Sequence, residues 1–283
     1  MRKTASDPAQ RLRLLSTAPS DPGLHADLRT AGAFASSGPA VAMRYLDLTL
    51  PEIANNLALD EALLVAAEER GAGPSLRIWE SPTLAVVLGA SGRLHEDVLI
   101  DACLADGVAI ARRASGGGTV VIGPGALNVS VVLAADVAPG LTAVDVAQRF
   151  VLDRLADAIR ARGPAVEVLG SGDLTLKLRK FSGSAQRRLR NHFLIHATIL
   201  YDFPLHLVPR YTGLPRRQPS YRGQRTHEDF LTNVPLAREK LIEAITGAWL
   251  PANHPPELVI PPEDLIQELL AAKFADPAWI KRL

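Results

Sequence analysis

The sequence predicts an α+β fold, a mixed, largely antiparallel sheet flanked by helices. Three observations lead there. Strand-like runs are short and numerous. Two long stretches, 55–70 and 144–162, repeat apolar residues at helical spacing and supply flanking helices. A glycine-rich segment at 115–118 stands between two strands rather than opening a helix, so the strand–loop–helix unit of a doubly wound parallel sheet is missing.

In chain order, residues 1–42 mix Pro, Ser, Ala, Gly and charges without periodicity, and read as a disordered arm or an over-called start ahead of Met43. They have no compact apolar region of the secretory kind, and Asp7, Asp21 and Asp27 argue against an organelle presequence. Residues 44–50 alternate as a strand. Residues 55–70 form a helix that Asn55 or Asn56 caps and Gly71 stops, with Asp60 and Glu61 read as favourable charge near its N-terminus. Two strands, 75–79 and 83–88, flank Ser81-Pro82. One helix at 95–106 carries Cys103, read as an inert buried thiol. Strands 108–113, 119–122 and 126–133 surround the glycine segment and the Gly123-Pro124-Gly125 turn. After the 144–162 helix come strands at 166–169 and 173–178, a small-residue segment at 179–186, and a strand at 193–200 whose His196 reads as a core histidine. Residues 208–230 are rich in Pro, Arg, Gln and Tyr without periodicity. They read as a loop wrapping the surface or docking on an acidic partner, ahead of a nucleic-acid arm. A helix at 236–250, a Pro-rich linker at 251–262 and a helix near 264–274 end the chain, dividing it into 1–42, a main domain 43–250 and a helical tail 251–283.

With 283 residues of which 47% are apolar, a sizeable core is available. A net charge of +1 gives no bulk attraction to nucleic acid or membrane. The single cysteine permits no intramolecular disulfide, which fits a reducing, cytoplasmic compartment, and excludes a cysteine-rich metal site. No run approaches the roughly 20 apolar residues of a membrane span.

Two segments hold chemistry. In ARRASGGGTVVIGPGALNVS, residues 111–130, three consecutive glycines contribute no packing and cost entropy. Such a run suits close approach of backbone to a ligand, where freed N–H groups form a nest for an anion. Arg112 and Arg113 would add forked donors for phosphate or carboxylate. The plainer reading is a flexible hairpin loop with solvated arginines. In the second segment Lys180 precedes Ser182, Gly183 and Ser184, where a ligand can press on backbone. Its plainer reading is a solvated strand-edge lysine.

Taken jointly, RRASGGG at 112–118 leading to Leu127-Asn128, and Asp173-Leu174 followed by RKFSGSAQ and His196-Ala197-Thr198, resemble the lipoate–protein ligase A family. That family shares its catalytic domain with biotin ligases and octanoyltransferases. The segments NNLALDEALL and LRIWESPTLAVVLG resemble its opening, and the likeness spans about residues 44–234. The resemblance implies the biotin/lipoate ligase type of α+β fold, with substrate in a cleft between the glycine loop and the Lys180 strand. It implies an enzyme that joins lipoate to a lysine of a lipoyl acceptor domain through lipoyl-adenylate, using ATP and Mg2+. Lys180 matches the family's central lysine. Arg113, Gly118, Thr119, Val120 and Val121 match binding residues for nucleotide and acyl group, alongside Arg112, Ser115, Gly116, Gly117 and Asn128. Ser182, Gly183 and Ser184 would line the acyl or adenylate pocket, and Asp173 is a candidate for magnesium or adenylate, with turn capping as its alternative. Implied partners are lipoyl domains of 2-oxoacid dehydrogenases or the glycine-cleavage H protein, with an accessory adenylation subunit in some relatives. The chain departs from the family at Val121-Ile122-Gly123, where an aromatic, a His and an Asp are usual, and at Ile195-His196-Ala197-Thr198 in place of HHGT. It also lacks the Gln expected in the loop after Gly89. A GRGRxGR-like loop is absent, which disfavours biotin ligation. Cys103 lies far from Lys180 in sequence, which disfavours a cysteine-dependent transferase. A transferase lacking its own adenylation step and a non-catalytic acyl- or nucleotide-binding homologue are the remaining alternatives.

Overall fold

Alternation of side chains along the strands decides how the layers stack. A computed structural model describes residues 43–250, 257 and 259–283. The readings of residues 1–42 and of the linker at 251–256 and 258 lie outside the described residues. The strands are β1 (Arg44–Asp47), β2 (Ser75–Glu80), β3 (Ala85–Leu88), β4 (Ala109–Arg112), β5 (Val120–Ile122), β6 (Ala126–Ala134), β7 (Glu167–Leu169), β8 (Asp173–Leu176), β9 (Arg179–Arg188) and β10 (His192–Leu200). The helices are α1 (Ile53–Arg70), α2 (Leu94–Asp97), α3 (Ile100–Ala105), α4 (Val144–Arg160), α5 (Leu207–Tyr211), α6 (His227–Phe230), α7 (Arg238–Trp249), α8 (Glu263–Leu269) and α9 (Pro277–Lys281). A large sheet runs β1-β2-β6-β10-β9-β8-β7, antiparallel except for β1 with β2. A small sheet runs β4-β3-β5. This is the α+β class that the sequence predicts.

Period-2 alternation gives the large sheet two different faces. Leu127, Val129 and Val131 of β6, Phe193, Ile195 and Ile199 of β10, and Leu76 and Ile78 of β2 pack against α4 and α7. The intervening residues turn toward α1 and the small sheet, and several are polar. Arg77, Ser130, His196 and Ala185 lie in one cross-strand row, and Trp79, Asn128, Thr198 and Gly183 in the next. A second apolar core, built from α1, α8 and the small sheet, surrounds this polar floor.

Three local readings change. The first helix begins at Ile53, so Asp60 and Glu61 lie two turns inside it and are buried rather than serving its terminus. Asn56 is no cap: its side chain binds Leu50 N and O and fixes the β1–α1 connection. The single helix expected at 95–106 breaks into α2 and α3, because Leu99 N–H donates to Tyr211 O and Val98 bridges Thr212.

Candidate functional site

The β8–β9 pairing slips at one point. Leu174 faces Ser182, yet Thr175 faces Lys180, so Phe181 is an extra residue in a β-bulge. Phe181 drops fully into the core, and Lys180 is re-aimed. Its Nζ lies 2.6 Å from Asp173 Oδ1, and Tyr221 OH donates to Asp173 Oδ2 at 2.7 Å. Burial, then the Asp173 carboxylate, push the Tyr221 hydroxyl well above the usual phenol range, so it stays protonated and donates. The lysine arches over Gly183, where a Cβ would meet Nζ at 2.7 Å and Cε at 2.9 Å. Glycine is the residue that leaves this room.

The glycine loop is shaped from behind by Arg113. Its Nη2 donates to Gly116 O at 2.5 Å and Gly118 O at 2.8 Å, its Nη1 to Val87 O at 3.2 Å, and its Nε to Ser115 Oγ at 3.0 Å. Burial pushes this guanidinium down to about 10, which still leaves it charged at neutral pH. Gly117 takes φ +88°, a backbone that glycine adopts without strain. Open space lies where side chains at Gly116 and Gly118 would stand, and among the described residues no protein acceptor meets the N–H groups of Gly116, Gly117 and Gly118. Carbonyls tied to Arg113 and free amides give the loop the character of an anion nest.

The loop and Lys180 border one cavity of about 980 Å³. Arg113, Gly116 through Val121, Asn128, Asp173, Ser182, Gly183 and Ser184 all line it. Asn128 Oδ1 is held by Thr198 Oγ1 at 2.8 Å, and Ser184 Oγ accepts from Gln148 at 2.9 Å. Trp79 Nε1, Thr119 Oγ1 and Ser182 Oγ are buried in its walls without hydrogen-bond partners. Unpaired buried polar groups cost stability, and these three belong to residues that line the cavity.

Four sequence expectations change here. Arg112 is turned away from the cavity: Nη1 donates to Gly89 O (3.0 Å) and Gly92 O (2.6 Å), and Nη2 to Ile280 O (2.7 Å). Successive strand residues point to opposite sides, so only one of two adjacent arginines can serve the loop. Ser115 is buried and does not reach the cavity; its Oγ lies 2.5 Å from His196 Nε2. His196 lines the cavity and is also 3.6 Å from Asp60 Oδ2, so it is more than a core histidine. As a metal ligand Asp173 fits poorly, because both its oxygens are taken by Lys180 and Tyr221. Among the described residues no group of three His, Cys, Asp or Glu is placed to hold a metal ion.

Residues 208–230, read as a loop wrapping the surface or docking on an acidic partner, keep Leu214, Arg216 and Arg217 exposed and also wall the cavity. The lining residues include Arg216, Arg217, Arg222 and Phe230. The segment's dense positive charge was the available signal; its destination depended on tertiary contacts such as Tyr221 with Asp173. Cys103 is fully buried in the α1-side core, off the cavity, and burial raises its thiol pKa.

The site is thus a cleft between a glycine loop and a bulge-aimed lysine. The model of the lipoyl protein ligase A/B catalytic domain matches residues 52–240, and the chain belongs to that family. A protein of Aeropyrum pernix, named provisionally as lipoate-protein ligase A, is 33% identical over 192 residues, covering 68% of this chain and 67% of the relative. Octanoyltransferase LipM of Kyrpidia tusciae is 26% identical over 256 residues, covering 78% and 92%. Among solved structures, a lipoate-protein ligase A bound with ATP superposes with a TM-score of 0.74 at 21% identity, covering 86% of this chain and all of that one. The bipartite lipoate protein ligase of Thermoplasma acidophilum, described with its E2 lipoyl domain, gives 0.72 at 21%, covering 86% and 98%.

Proposed function

We propose that the chain activates lipoate with ATP and transfers the acyl group to a lysine of a lipoyl domain. The observation that carries this reading is the shared cavity: Lys180 Nζ, held over Gly183 by Asp173, faces the same space as the unpaired amides of the glycine loop.

In the first step a carboxylate oxygen of lipoate attacks the α-phosphorus of ATP, the bond to the β-phosphate bridge breaks, and pyrophosphate leaves. Negative charge is crowded where the two anions meet, and preorganised donors lower that barrier. Lys180 supplies a mobile point charge between acyl and phosphoryl oxygens. The amides of Gly116–Gly118 supply fixed dipoles. Arg217 and Arg222 add positive charge along the wall, while Arg216 beside them is paired with Glu96 and Asp97. Magnesium would come with the nucleotide and offset phosphate charge, since no group of three His, Cys, Asp or Glu among the described residues is placed to hold it. In the second step the acceptor amine, having lost a proton, attacks the acyl carbon. An amide forms and AMP leaves with the electron pair of the broken C–O bond, again beside Lys180.

The LipM relatives favour one second reading, acyl transfer without adenylation. A thiolate acyl carrier needs an accessible cysteine, and Cys103 is buried away from the cavity. Transfer from ready-made lipoyl-adenylate needs no cysteine and stays the competitor. Incubation with ATP, Mg2+, lipoate or octanoate and an apo lipoyl domain, read by intact mass, decides. Acylation with all components present supports the ligase; acylation only from supplied lipoyl-adenylate supports the transferase.

A further inference from the structure

The glycine loop is tied to the sheet floor by a directed chain of polar groups. Arg113 can only donate, so Ser115 Oγ accepts from its Nε at 3.0 Å. Ser115 is buried, and the partner for its own proton is His196 Nε2 at 2.5 Å. With Ser115 as the donor, Nε2 is the bare nitrogen and Nδ1 carries the imidazole proton, 3.6 Å from Asp60 Oδ2, an electrostatic contact rather than a hydrogen bond. Asp60 is fixed in turn by Arg77 Nη1 at 2.6 Å and Ser130 Oγ at 2.8 Å. Arg77 is anchored on Asn56 O at 2.8 Å and Asn56 Oδ1 at 2.6 Å. The far end of the chain is Arg113 Nη2 on the Gly116 and Gly118 carbonyls.

We propose that His196 is a positioning residue: as a neutral Nδ1–H imidazole it orients Ser115 and Arg113, which turn the glycine-loop carbonyls inward and its amides toward the ligand. The Asp60 carboxylate, 3.6 Å behind the ring, favours the proton on Nδ1 through its charge. Loss of the serine hydroxyl leaves Arg113 Nε unpaired in a buried site and His196 without a donor, so the loop loses its fixed orientation. A side-chain amide oxygen at position 196 can replace the Nε2 acceptor, so His196→Gln restores what His196→Ala removes.

This rests on the ligase reading only for the ligand used, and two measurements separate the claims. In the ligand-free full chain, imidazole nitrogen NMR is expected to show His196 with Nδ1 protonated and Nε2 bare. Amide order parameters of Gly116–Gly118 are expected to be near the rigid value of about 0.85, and to fall below about 0.6 in Ser115→Ala and His196→Ala. With ATP as the probe in the presence of lipoate, those two variants should bind roughly tenfold more weakly, the scale of one buried hydrogen bond to a charged group, and His196→Gln should recover most of that loss. A Nε2–H tautomer, or unchanged loop order parameters in folded Ser115→Ala, overturns the positioning role. If instead the wild type binds no ATP while the loop responds to Ser115→Ala, the ligase reading fails and the positioning role stands. A purely structural role lowers the melting temperature and leaves both loop order and ATP affinity of the folded variants unchanged.

Discussion

Lys180 is the residue on which the proposed chemistry rests, and Gly183 decides where its amine lies. Lys180→Ala should lower acyl transfer by roughly 10²–10³-fold, the scale for removing one preorganised electrostatic group. Intact-mass rates on a lipoyl domain check this. Gly183→Ala puts a methyl where Nζ and Cε now sit. The atoms in the way belong to a flexible side chain, so the fold tolerates the methyl while the amine shifts. Activity should fall by up to roughly 10²-fold, as for other misplaced groups, with little change in melting temperature. Arg112→Ala should behave oppositely. It strips buried carbonyls of Gly89, Gly92 and Ile280 of a charged donor, a loss of about 2–4 kcal/mol in denaturant unfolding. The variant that remains folded should keep its ATP affinity, because Arg112 faces away from the cavity.

At the scale of elements, the glycine loop and the β9 bulge are two ways of aiming groups at one space. Much of this was legible in the sequence. Alternation marked β1, apolar strand-like runs marked β2, β6 and β10, and the glycine triplet does lie between strands, not at a P-loop. The bulge was not legible, since Phe181 reads as one more apolar strand residue until β8 sets the register. The division of labour between Arg112 and Arg113 was hidden for a similar reason. Both suit an anion, and only strand direction sends one to the loop and the other to α9, where Trp279 Nε1 also caps Arg112 O at 2.8 Å. Arg282 reaches Ala90 O from the same helical end. The segment at 208–230 lacked periodicity because it is made of one-turn pieces, α5 and α6 with a 3₁₀ turn between them, held by side-chain contacts such as Arg222 over Phe230 at 4.6 Å. Asp60 and His196 escaped for a further reason: their link is a row across three strands and a helix, invisible to any local pattern.

Across the whole folded unit, one sheet separates an apolar core from a core with a charged centre. Burial alone would raise the Asp60 carboxyl, but Arg77 and His196 outweigh it and hold it below the usual carboxylate range. The unfolded chain thus takes up this proton at a higher pH than the folded one. The stabilisation is complete above the ordinary carboxylate pKa and is lost as pH falls through the folded value. Urea midpoints should decline on acidification below about pH 4, where an unperturbed Asp begins to protonate, and this acid-sensitive part should vanish in Asp60→Asn. That variant leaves Arg77 without its buried counter-charge and should cost about 3–5 kcal/mol at neutral pH.

The central claim is that this chain makes its own acyl-adenylate at Lys180. Lipoate-dependent exchange of labelled pyrophosphate into ATP, with no acceptor present, tests it most directly. The expected result is exchange by the wild type that requires lipoate and collapses in Lys180→Ala. No exchange by a wild type that nevertheless transfers lipoate from supplied lipoyl-adenylate would contradict it.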